Sequence, residues 1–122
     1  MERAAALLTL ESLSSGIRLD IFRLLVRQAP EGLVAGEMAT ALELAPSNLS
    51  FHLKALTQSG LLSVEQEGRY QRYRANMPLM LDLIAYLTEE CCAGHPELCG
   101  NLPTASSCTP ARRAALADAT EA

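Results

Sequence analysis

With 122 residues, 49% of them hydrophobic, the chain is long enough for one domain with a modest core and too short for two. It holds no tryptophan and only five aromatic rings, an aliphatic composition rich in alanine and leucine that favours helices. No apolar run is long enough to cross a bilayer, and a net charge of −4 argues at first against a nucleic-acid partner. The start, Met1-Glu2-Arg3-Ala4, lacks the basic region and cleavage pattern of a signal peptide, so a cytoplasmic protein with no membrane partner is expected.

The charge is unevenly spread. Residues 1–45 hold four basic and six acidic side chains, and residues 77–122 hold two and six. Residues 46–76 hold Lys54, Arg69, Arg72 and Arg74 against Glu65 and Glu67, so the middle segment alone is net positive. A phosphate-binding surface needs only local positive charge.

In chain order, residues 2–14 are good helix formers, with Leu7, Leu8, Leu10 and Leu13 on apolar faces. Ser14-Ser15-Gly16 interrupts them, and either serine can cap a second helix over 17–28. There Ile17, Ile21, Leu24 and Leu25 recur at helical spacing, with Arg18, Arg23 and Arg27 outside the stripe. Ala29-Pro30-Glu31-Gly32 breaks the chain. A third helix is expected over 35–43, with Met38, Ala39 and Leu42 inward, then the short turn Leu44-Ala45-Pro46. Pro46 suits the first position of a fourth helix, where its missing N–H costs nothing, and Gly60 suits its left-handed end. The period then changes to two. Leu62 and Val64 alternate with Ser63 and Glu65, Glu67-Gly68 makes a turn, and 69–75 returns as a second strand. Asn76-Met77-Pro78 opens a fifth helix expected to reach Cys92, with Leu79, Leu83, Ile84 and Leu87 on one stripe. The domain expected is 1–92, followed by a cysteine-containing, partly flexible tail over 93–122 with a weak helix at 110–119.

Helix, short turn, helix, hairpin is the order of a winged helix-turn-helix: mainly α, with a two-stranded β wing between the fourth and fifth helices. At about 100° per residue, Leu49, Leu53 and Leu56 share the buried side of the fourth helix. Ser47, Ser50, Phe51 and Lys54 fall on the opposite side, with Asn48 at its edge. That set offers donors, acceptors, one cation and one ring, which suits base edges, a thymine methyl and phosphates in a major groove. A merely solvated face seldom exposes a phenylalanine beside two serines and an asparagine. His52, on the flank of the buried stripe, reads as structural. On the hairpin, Arg69, Arg72 and Arg74 interleave with Tyr70 and Tyr73, which suits phosphate or a minor groove but equally a charged edge strand guarded against aggregation.

The stretches Ile17-Arg18-Leu19-Asp20-Ile21-Phe22-Arg23-Leu24-Leu25, Leu44-Ala45-Pro46-Ser47-Asn48-Leu49-Ser50-Phe51-His52-Leu53-Lys54-Ala55-Leu56 and Gly68-Arg69-Tyr70-Gln71-Arg72-Tyr73 resemble the ArsR–SmtB family of metal-responsive repressors. The resemblance spans residues 5–92. It implies a homodimer joined through the first and fifth helices, bound to an inverted-repeat operator in double-stranded DNA and released by an inducer. Gly16-Ile17 departs from the proline and threonine that relatives usually carry before the arginine.

The resemblance also directs attention to the cysteines, because the family's inducer site moves among helices. The third helix carries Met38-Ala39-Thr40 in place of the cysteine pair of the best-known arsenic sensors. Asp82 lacks the histidine partner of the zinc sensors. What remains is Cys91, Cys92 and Cys99, with Gly94 and Pro96 able to turn the chain back on itself. In a reducing compartment such residues are ligands, sensors or free thiols rather than structural disulfides. Three thiolates suit trivalent arsenic (arsenite) or antimony, Sb(III), whose lone pair fills the remaining direction, and some arsenic-responsive relatives are similar here. A sulfur-rich set of Cys92, His95 and Cys99 with Cys91 or Cys108 suits Zn, Cd or Pb, and neighbouring thiols also suit redox sensing. A thiol oxidoreductase or arsenical-handling enzyme would need a base or cleft beside the thiolate, and His95 is the sole histidine near the cysteines. No enzyme activity is expected.

Overall fold

The computed structural model describes residues 1–89, and a compact unit spans Met1–Leu87. The described residues form helices α1 (Arg3–Ser12), α2 (Gly16–Arg27), α3 (Ala35–Leu42), α4 (Pro46–Gln58) and α5 (Met77–Thr88). Strands β1 (Leu33–Val34), β2 (Leu62–Glu67) and β3 (Tyr70–Ala75) make one antiparallel sheet in the order β1-β3-β2. This is the winged helix-turn-helix expected. The end of the fifth helix at 90–92, the boundary at 92/93 and the tail lie outside the described residues.

The core is built from the stripes that helical spacing marks out. Ile21, Phe22, Leu24 and Leu25 of α2, Met38 of α3, and Leu49, Leu53 and Leu56 of α4 are buried together with Leu61 and Leu62. Ser15 is the cap of α2, its side chain accepting from the Arg18 backbone N–H at 3.4 Å. Asn76 opens α5: its Oδ1 accepts from Leu79 N–H at 3.2 Å while its Nδ2 donates to the Gly60 carbonyl at 2.7 Å. One side chain thereby joins the end of α4 to the start of α5.

The two helices of the helix-turn-helix end in the same way. After α4, Leu61 N–H donates to Leu56 O and Gly60 N–H to Thr57 O, with Gly60 at φ 87°. After α3, Leu44 N–H donates to Ala39 O and Glu43 N–H to Thr40 O, with Glu43 at φ 55°. Both are Schellman ends, which need one residue in the left-handed region. At Gly60 that conformation carries no steric cost, and at Glu43 the Cβ makes it unfavourable.

The sheet holds the expected two-stranded wing and one strand more. Leu33 and Val34 pair with Tyr73 and Arg72, adding a third strand that runs straight into α3. Two residues are too few to show a period, so nothing in the pattern marks them. Gly32 makes the pairing feasible: at φ 74° it lies so close to β3 that a Cβ there would collide with the Tyr73 carbonyl oxygen. The turn also sits one residue later than expected. Glu67 pairs with Tyr70, so the loop is Gly68-Arg69, with Gly68 at φ 61° as a type II′ turn requires at its first central position.

Candidate nucleic-acid interface

Leu49, Leu53 and Leu56 anchor α4, and its period of 3.6 sends Ser47, Asn48, Ser50, Phe51 and Lys54 into solvent. All five are exposed. The Phe51 ring is 65% exposed, on a helix whose buried residues are all leucines. Pro46 occupies the first turn of α4.

The wing divides by face. Strand alternation puts Val64, Gln66, Gln71 and Tyr73 on one side and Glu65, Glu67, Arg72 and Arg74 on the other. The first side looks onto α4: Val64, Gln71 and Tyr73 join Ser50, Lys54, Thr57 and Gln58 around an open cleft of about 400 Å³. Along this side runs a chain of hydrogen bonds. Tyr73 OH donates to Gln71 Oε1 at 3.2 Å, Gln71 Nε2 to Gln66 Oε1 at 3.3 Å, and Gln66 Nε2 to the Gly68 carbonyl at 2.8 Å. These hydrogen bonds link the polar groups on this side of the wing to one another.

Arg72 and Arg74 are not brought to that side. Arg72 Nε donates to Glu67 Oε1 at 3.0 Å and its Nη1 to the Gly32 carbonyl at 3.3 Å. Arg74 Nη1 donates to Glu65 Oε1 at 2.6 Å, and its Nε to the Pro30 carbonyl at 3.1 Å. The hydrogen bond to Glu67 pushes the Arg72 guanidinium pKa up. Both arginines therefore tie the wing to the segment between α2 and β1. Arg69 differs: it is exposed in the turn itself and, with Tyr70, borders a second open cleft reaching Ser50 and the start of α3. Gln66, Gln71 and Tyr73 are candidate interface residues that residue type alone misses. The signal available for them was the strand period, which separates them from the arginines.

His52, on the flank of the buried stripe, has a partner: Arg18 Nε donates to its Nδ1 at 3.0 Å. Accepting at Nδ1 requires a neutral ring with its proton on Nε2. Burial and the Arg18 charge both lower its pKa below the ordinary histidine value.

Among the described residues no three His, Cys, Asp or Glu side chains gather to hold a metal ion, and Cys91, Cys92 and Cys99 lie outside them. No helix of the described residues is long and apolar enough to cross a membrane.

The helix-turn-helix domain family matches residues 13–65. HlyU from Vibrio cholerae is 30% identical, over 71% of this chain and 97% of that one, with a TM-score of 0.58. A homodimeric winged helix-turn-helix DNA-binding domain from Mycobacterium bovis, Mb0332, described as a possible ArsR-family transcriptional regulator, is 26% identical over 71% of this chain and 81% of that one, with a TM-score of 0.58. An ArsR-like transcriptional regulator from Rhodococcus sp. RHA1 shares the fold at 24% identity, over 84% and 93% of the two chains, with a TM-score of 0.63. No curated protein matches the sequence.

Proposed function

Because the chain belongs to the ArsR–SmtB family of winged-helix transcriptional regulators, we propose that it is a homodimeric repressor released from its operator by trivalent arsenic. The observation that carries DNA binding is the outward face of α4, where an exposed phenylalanine sits among Ser47, Asn48, Ser50 and Lys54 beside the polar side of the wing. α4 enters the major groove, with Arg69 reaching the backbone or minor groove from the wing turn. Arg72 and Arg74 support the wing from behind.

Dimerisation is supported by α1, which buries Ala6, Thr9 and Ser12 and exposes Leu7, Leu8 and Leu10, at 53%, 51% and 42%. A helix that turns its leucines outward lacks a partner for them among the described residues. Leu87 of α5 is likewise exposed, at 57%.

The inducer reading rests on the clustering of Cys91, Cys92 and Cys99 just past α5. Three thiolates complete the coordination of As(III) or Sb(III). A change at the end of a dimer helix would alter the spacing of the two α4 helices, and a coupling of about 1–3 kcal/mol weakens DNA binding several- to a hundredfold. His95 at ligand spacing within the cluster supports Zn, Cd or Pb as the second reading.

The deciding measurement is fluorescence anisotropy of the chain on promoter DNA while arsenite, antimonite, cadmium, zinc and peroxide are titrated separately. Arsenite is expected to release wild type, and Cys91→Ser, Cys92→Ser and Cys99→Ser each to bind DNA normally but resist release. If all three variants still leave the DNA with arsenite, the cysteine site is wrong and the DNA-binding reading stands.

A further inference from the structure

One side-chain cluster joins Phe51 of the α4 face to two residues not assigned to that face. Arg18, in the first turn of α2, donates from Nε to His52 Nδ1. Its Cζ lies 5.9 Å from the centroid of the Phe51 ring, and the Phe51 and His52 rings meet edge-to-face at 5.3 Å and 75°. A single guanidinium thus touches two consecutive residues of α4, one of them the exposed ring.

What holds this arginine differs from what holds its counterparts on the wing. Arg72 and Arg74 are each paired with a carboxylate. Among the described residues Arg18 is in neither ion pair, and its one side-chain hydrogen bond there is to an uncharged acceptor through Nε. A carboxylate would orient the guanidinium and cancel its charge. A neutral imidazole orients it and leaves the charge whole, with the four Nη donors still to be satisfied. Two parallel N–H groups on a planar cation match two oxygens of a phosphodiester.

We propose that Arg18 is a phosphate-binding residue of the DNA interface, aimed by His52 and flanked by Phe51. This rests on the DNA-binding reading above and adds α2 to the elements that grip the duplex. The contact carries no base preference: it sets the register of α4 by clamping the backbone beside the bases that Phe51 reaches.

The test uses the full chain and a duplex enriched from a random-sequence library by wild type, with affinity measured across a salt series. Each phosphate contact contributes about 0.9 to the slope of log K against log salt. Arg18→Gln is expected to make the slope shallower by about 0.9 per subunit and to weaken binding several-fold at low salt, whereas Arg18→Lys keeps the slope. His52→Asn, which retains an acceptor near Nδ1, binds as wild type, and His52→Leu binds several-fold more weakly. Thermal melts identify variants that fail to fold. Should Arg18→Gln not fold, the two His52 variants decide the matter. A folded Arg18→Gln chain with the wild-type slope overturns the proposal, as does His52→Leu binding like wild type. If wild type enriches no duplex, the DNA-binding reading falls and takes this one with it.

Discussion

Phe51 and Leu53 stand two residues apart on α4 and serve opposite ends: one ring is 65% exposed, the other side chain 2%. Phe51→Ala should leave the melting temperature within a degree or two of wild type, while weakening duplex binding about fivefold or more, through loss of an apolar base contact. Leu53→Ala should instead cost about 2–5 kcal/mol of stability from the cavity it opens. Urea melts together with anisotropy on the same samples separate the two effects. If Phe51→Ala destabilises the chain as much as Leu53→Ala, the ring is a packing residue and the outward face has been misread.

His52 gives the chain a pH dependence whose sign follows from its lowered pKa. The folded state favours the neutral ring that accepts from Arg18, so at mildly acid pH the unfolded chain binds more protons. The contribution to stability is complete above the ordinary histidine pKa of about 6.5. It declines as pH falls from there through the lower folded value. Urea melts at pH 7.5 and 5.5 should show a loss for wild type that His52→Asn does not share, because a side-chain amide takes up no proton in this range. Equal losses in both would place the titrating group elsewhere.

Among the elements, the ends of α3 and α4 show how one backbone motif can be visible or hidden according to its residue. Gly60 marks the end of α4 in the sequence because glycine is the usual occupant of a left-handed position. Glu43 occupies the equivalent position after α3, where no residue preference points to it. Glu43→Gly should therefore stabilise the chain by about 1 kcal/mol, and Glu43→Val should destabilise it, as read from thermal melts. A Glu43→Gly chain that melts below wild type would show that the side chain has a role the backbone argument omits. β1 was hidden for a different reason: its pairing comes from Gly32 approaching β3 some forty positions on, and two residues carry no periodicity. The wing arginines were visible as residue types but not as roles. Arg72 and Arg74 find Glu67, Glu65 and the carbonyls of Gly32 and Pro30 only once the hairpin has closed against the segment after α2.

At the scale of the whole molecule, the outward leucines of α1 imply a second copy. The double variant Leu7→Glu, Leu10→Glu should sediment as a monomer. It should also lose roughly a hundredfold in affinity for an inverted-repeat duplex, because the two half-sites would no longer be engaged together. A variant that stays dimeric would move the interface away from α1. Helix order, the stripe of α4, the hairpin and the basic middle segment were all legible beforehand, because each is a local pattern of spacing or type. The family followed from the same stretches.

By itself, then, the sequence determined the winged helix-turn-helix and the set of side chains that α4 turns outward, since helical period and burial leave one solution for Leu49, Leu53 and Leu56. It also determined that all four thiols lie in the last third of the chain. Tertiary structure alone decided which cations remain available. Whether an arginine faces a duplex or a glutamate depends on residues distant in the chain: Arg72 and Arg74 are engaged within the wing, Arg69 is left in its turn, and Arg18, on a helix outside the expected DNA-reading set, is set against Phe51 by a histidine thirty-four positions away.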